Sequence, residues 1–122
     1  MQRFFKVIAR VVQVMFVSAG AHVMASSLVL PSSAQLAGHW QLHQADQVCA
    51  LDLLEPANAL GGDVACAAQW LGDTPLSWQP TPDGIWLMNA QGSGITHLNR
   101  QKEGEYKGRT PSGLDVVLQR TP

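Results

Sequence analysis

At 122 residues the chain has room for one domain, and its eight Lys/Arg and nine Asp/Glu leave it near neutral. Without its first 25 residues it keeps 97, with five basic and nine acidic side chains and a net charge of −4. That balance lacks the basic stripe that nucleic-acid binding requires, and so small a domain buries a limited core and often needs a covalent staple.

The first stretch carries Arg3, Lys6 and Arg10, then the apolar run Val11-Val12-Gln13-Val14-Met15-Phe16-Val17. Small residues Ser18-Ala19-Gly20-Ala21 follow, and Val23-Met24-Ala25 fits the small-x-small preference of a cleavage site. A membrane-spanning helix needs about 20 apolar residues in succession, and this run is shorter and broken by Gln13. Residues 1–25 are therefore expected to be a cleaved secretory signal. The mature chain then starts at Ser26, is free of the membrane, and exposes an α-amine on the apolar arm Ser26-Ser27-Leu28-Val29-Leu30.

Pro31 to Ala37 reads as a linker or one helical turn around Ala34-Gln35-Leu36, capped by Ser32 or Ser33. The period then changes to two. Trp40 and Leu42 alternate with His39, Gln41 and His43; Cys49, Leu51 and Leu53 alternate with Ala50, Asp52 and Leu54. Asn58 to Asp63, with Gly61-Gly62, predicts a loop, and Ala65 to Trp70 a third strand that brings Cys66 back toward Cys49. Further strands are predicted around Leu76–Gln79, Ile85–Met88, Ile95–Asn99, Glu105–Gly108 and Leu114–Arg120. They are separated by turns such as Pro80-Thr81-Pro82-Asp83-Gly84 and Gln91-Gly92-Ser93-Gly94. About eight short strands at this spacing indicate an all-β barrel or sandwich.

Cys49 and Cys66 are the only cysteines. An even pair in an exported chain indicates one disulfide, worth about 3 kcal/mol for a loop of this length in the chain-entropy account. Zinc ligation by the two thiolates would call for C-x-x-C spacing and nearby histidines. His39, His43 and His97 follow no ligand-spacing motif and read as solvated strand residues. No H-E-x-x-H, G-x-S-x-G or phosphate-cradling loop is present, and the carboxylates stand singly on turns and outward strand positions. Nothing in the sequence points to an enzyme, to a metal of its own or to a cofactor. Trp40, Trp70, Trp78 and Trp86 are expected to fill the core, with a ligand-pocket wall as the alternative.

Gly38-x-Trp40 on the first strand and Arg120 on the last resemble the lipocalin and avidin-like barrels, where a late arginine covers an early tryptophan by cation–π stacking. A broader resemblance is to the periplasmic alkaline protease inhibitor family, proteinaceous inhibitors of serralysin-type zinc metalloproteases. It rests on Ser26-Ser27-Leu28-Val29-Leu30, Leu36-Ala37-Gly38-His39-Trp40, Cys49 and Cys66, and Trp70-Leu71. Trp78-Gln79-Pro80-Thr81-Pro82-Asp83-Gly84-Ile85 and Arg100-Gln101-Lys102-Glu103-Gly104-Glu105-Tyr106 complete the match. Gln79, where an arginine is expected, and the uncharged arm depart from the pattern.

The resemblance implies a small eight-stranded antiparallel up-and-down, lipocalin-like barrel over residues 37–122, with residues 26–36 as inhibitory arm and linker. It implies a periplasmic monomer that binds one secreted protease, Ser26 to Leu30 entering the cleft and the Ser26 amine on the partner's zinc. The chemistry is coherent. A catalytic zinc keeps one open position, and an α-amine with a pKa of about 8 offers its neutral form near neutral pH. Small Ser26 and Ser27 let backbone approach the metal, Leu28 and Leu30 suit neighbouring apolar subsites, and Pro31 limits the ordering cost. The rival is a carrier of small apolar ligands, which needs an apolar cavity of roughly 300 Å³ or more.

Overall fold

The computed structural model describes residues 30–122; residues 1–25, expected to be a cleaved signal, and Ser26 to Val29 of the expected arm lie outside it. The chain enters through the single turn α1 (Ser33–Leu36). Strands β1 (Gly38–Gln44) and β2 (Gln47–Leu53) form the first hairpin, followed by β3 (Leu60–Gly62) and helix α2 (Val64–Leu71). The remaining strands are β4 (Ser77–Thr81), β5 (Gly84–Met88), β6 (Gly94–Lys102), β7 (Glu105–Arg109) and β8 (Asp115–Arg120).

These strands make one antiparallel sheet in the order β3-β2-β1-β8-β7-β6-β5-β4. Its two edges meet. Ala59 bridges Ser77, Leu60 N–H donates to Leu76 O at 2.9 Å, and Trp78 N–H donates to Asn58 O at 3.0 Å. Every strand thus lies beside its sequence neighbour, and β1 beside β8, which is a nearly closed up-and-down barrel. Closure leaves little free edge for pairing with another chain.

Among the described residues there are eight strands, as the pattern predicts, but the third is elsewhere. Residues 65–70 lie in α2, and the strand is Leu60–Gly62, inside the stretch expected to be a loop. The helix has ordinary causes. Asp63 caps it, its carboxylate accepting from Cys66 N–H at 3.2 Å, and Gly72 ends it in the left-handed region at φ 79°. Between the caps, three alanines favour helix. Cys49 and Cys66 are bonded, with Cα atoms 5.7 Å apart, so the staple joins β2 to a helix and not to a third strand.

The inward positions alternate as β-periodicity requires: Trp40 and Leu42 on β1, Cys49, Leu51 and Leu53 on β2, Ile85 and Leu87 on β5, Val116 and Leu118 on β8. Each is at most 1 % exposed, so side chains fill the interior. α2 packs Ala67, Trp70 and Leu71 onto the end where Cys49 lies, and α1 packs Leu36 at the other. Trp86 departs from expectation. It is 38 % exposed on the outer face, against the His97 ring at a centroid distance of 5.0 Å.

One glycine is dictated by strand contact. A Cβ on Gly84 would sit 2.0 Å from Leu98 O, a backbone atom of β6 that cannot retreat without breaking the ladder. Gly84→Ala is expected to destabilise the barrel by at least about 1–3 kcal/mol, read as a lower urea midpoint. An unchanged midpoint would contradict this packing.

Candidate functional site

The register assigns each loop to one of the barrel's two ends. β1 begins at Gly38 opposite Leu53, and β8 finishes at Arg120 opposite Trp40. The β2–β3 loop, the Pro82-Asp83 turn and the Glu103-Gly104 turn lie at this same end, where α1 and Leu30 enter. The β1–β2 hairpin, α2 and the β5–β6 and β7–β8 turns lie at the other. Three of the sequence stretches that resemble the inhibitor family, 36–40, 78–85 and 100–106, therefore converge on the rim where Leu30 and α1 enter.

That rim is built in layers. Ser32 caps α1 through a reciprocal pair: its Oγ accepts from Gln35 N–H at 3.2 Å, and Gln35 Oε1 accepts from Ser32 N–H at 2.9 Å. The predicted turn and cap are thus both present. Beneath it, the buried Trp40 indole N–H donates to Leu36 O at 2.8 Å. Arg120 lies over the Trp40 ring at 4.5 Å, the arrangement expected from Gly38-x-Trp40 and Arg120. Tyr106 meets the same indole edge-on at 5.7 Å. Burial pushes the Tyr106 pKa up, opposed by the Arg100 and Arg120 guanidiniums and reinforced by Glu103, so its phenol stays protonated at neutral pH.

Two open grooves flank Leu30. One, of about 510 Å³, is lined among others by Gln35, Arg100, Glu103, Tyr106 and Arg120. The second, of about 470 Å³, runs past Asn58, Trp78, Gln79, Pro80 and Met88. Both exceed the volume a small ligand needs, but they are surface clefts with mixed polar and apolar walls outside the packed interior. They do not form the enclosed apolar chamber of a carrier. Leu30, 47 % exposed between them, is the one arm residue in the described structure.

The histidines do not gather. His39 Nδ1 lies 2.6 Å from Asp52 Oδ1 across the β1–β2 pair, and His97 Nε2 lies 2.9 Å from Thr81 Oγ1. His39 and His43 occupy one strand, four residues apart, so they are separated along the sheet. Among the described residues no group of three His, Cys, Asp or Glu side chains could hold a metal ion. Sequence reasoning did not find the outer-face Trp86–His97 stack, whose signal was the cross-strand pairing of those two residues. Nor did it find the carbonyls of α1 as partners of Arg120.

Comparison with known proteins agrees with this architecture. A family model described as Protease inhibitor Inh matches residues 30–120. The chain is 66% identical to an alkaline proteinase inhibitor of Pseudomonas tolaasii over 121 residues, covering 99% of each. It is 44% identical to an alkaline proteinase inhibitor of Pseudomonas syringae pv. tomato, covering 96% of this chain and 94% of that one. Among solved structures, a psychrophilic marine protease MP inhibitor superposes with a TM-score of 0.69 at 33% identity, covering 75% of this chain and all of that one. The chain is an inhibitor and not an enzyme, and it belongs to the alkaline proteinase inhibitor (Inh) family.

Proposed function

We propose that this chain is exported to the periplasm, loses residues 1–25, and inhibits a secreted serralysin-type zinc metalloprotease as a one-to-one complex. In this reading Ser26 to Leu30 enter the active-site cleft. The Ser26 amine takes the open coordination position of the partner's zinc, while Leu28 and Leu30 fill apolar subsites beside it. A producing cell would thereby be protected from its own protease before secretion.

One observation carries the reading. The chain turns into the barrel at a hydrogen-bonded rim, with Leu30 exposed beyond the capped turn and the interior already packed. A filled barrel has no room for a carried ligand, whereas a hydrogen-bonded end that presents an extended segment suits insertion into a cleft. Proline at position 31 restricts φ where arm meets turn, which lowers the entropy lost on binding.

The test starts with the mass of the exported protein, which fixes its first residue. The mature form is then titrated against a purified serralysin-type metalloprotease from a Pseudomonas culture. Stoichiometric loss of activity at one equivalent is expected. Undiminished protease activity, with saturable uptake of a fluorescent fatty acid by the barrel, would overturn the proposal in favour of a carrier.

A further inference from the structure

We propose that Arg120 is a positioning residue for inhibition: it ties the turn that carries the arm to the barrel rim, so that the arm leaves in a set direction. The proposal rests on the reading that the arm inhibits. Stacking over Trp40 uses only the face of the guanidinium. Its edge is directed elsewhere: Nη2 donates to Gln35 O at 2.7 Å and Nη1 to Ala37 O at 3.3 Å. Both carbonyls belong to the C-terminal side of α1, where a helix leaves acceptors without internal partners.

The surroundings are arranged for this fork. Among the described residues no carboxylate forms an ion pair with Arg120, so its donors are committed to the backbone of the root. Gly38 allows the close passage. Its φ is +138°, and a Cβ there would lie 3.3 Å from Nη1. Arg120 is itself fixed by its place on β8, its N–H donating to Gly104 O at 2.9 Å. With the Trp40 indole bond to Leu36 O, three successive carbonyls of the root (35, 36 and 37) are held by two side chains of the barrel. Barrel closure alone would need none of these bonds, since β1 and β8 already pair through their own ladder.

A lysine at this position keeps the charge but loses the planar fork, and one ammonium cannot reproduce both contacts with the same stacking. A loosened root spends less time in the orientation that fits the cleft, and the apparent affinity falls by that fraction. The experiment compares Arg120→Lys and Ser32→Ala with the wild-type mature protein. Ser32→Ala removes the cap at the far end of α1 without touching the barrel. For each, the association and dissociation rates with the metalloprotease are measured, together with 1H–15N heteronuclear NOEs at residues 32–37 and hydrogen exchange across the strands.

Arg120→Lys is expected to slow association about ten-fold and lower the NOEs at the root, while strand exchange stays unchanged. Ser32→Ala should act in the same direction, less strongly. Unchanged association despite a mobilised root would overturn the proposal, as would a loss of inhibition that simply follows faster exchange in the strands. A chain lacking residues 26–30 tests the underlying reading separately. Full potency there removes the arm itself from the mechanism, whereas abolished potency beside a fully potent Arg120→Lys overturns only the role of Arg120.

Discussion

One extra residue in front of Ser26, such as a retained Met, is expected to weaken inhibition by on the order of several kcal/mol, more than a hundred-fold in Ki. The cause is geometric. In the proposed mechanism the α-amine moves by one residue, so the metal bond would be lost or the arm would have to buckle to restore it within the cleft. The rim cannot follow, because α1 is capped by Ser32 and held from below by Trp40 and Arg120. Ser26→Ala keeps the amine and should cost far less. Deleting Ser26 to Leu30 should abolish most inhibition yet leave the barrel's circular dichroism and melting curve nearly intact, since Leu30 is exposed and outside the core. Equal Ki values for extended and native termini would rule out the zinc–amine contact. Full potency after deletion would assign inhibition to the barrel surface instead.

Replacing both Cys49 and Cys66 with serine is expected to lower stability by about 2–5 kcal/mol while leaving Ki unchanged wherever the protein remains folded. The bridge closes a separation of 17 residues and fastens α2 to β2 at the end of the barrel opposite α1 and Leu30. Without it, Ala67, Trp70 and Leu71 must hold the helix on the barrel by packing alone. Cys49 is also 1 % exposed, so serine there buries a hydroxyl where a sulfur had been. Urea denaturation measures the loss, and inhibition assays at low temperature measure what is retained. A variant as stable as the wild type would mean that the helix needs no staple. A folded variant with weakened inhibition would mean that the two barrel ends are coupled.

Much of the barrel was legible in the sequence because strand period and turn chemistry are local. Trp40 and Leu42 face inward, and Cys49, Leu51 and Leu53 follow the same alternation. The Pro82-Asp83 turn and the Ser32 cap depend only on residues within a few positions of them. The error at 65–70 has an equally local origin. Alternation among small residues such as Ala65, Cys66 and Ala67 carries little hydrophobic contrast, and the stronger signals were the flanking Asp63 cap and Gly72 stop. Size alone places Trp86 in the core. Its neighbours Ile85 and Leu87 take the inward positions, which by the period of two puts Trp86 outside.

By itself the sequence determined an all-β barrel or sandwich and the pairing of the two cysteines, which rest on residue type and spacing, while the barrel itself and the Trp40–Arg120 contact followed from resemblance to known families. Only the tertiary structure decided which end of the barrel receives Leu30 and α1 and which loops surround them. Strand register decides that, and register comes from pairings between residues as distant in sequence as Trp40 and Arg120. The tertiary structure also decided that the interior is packed, because whether inward side chains meet depends on the barrel's closure through Ala59 and Ser77. It decided, finally, where the edge of the Arg120 guanidinium points. A cation can stack on a tryptophan in many orientations, and only the folded position of α1 sets the carbonyls of Gln35 and Ala37 within its reach.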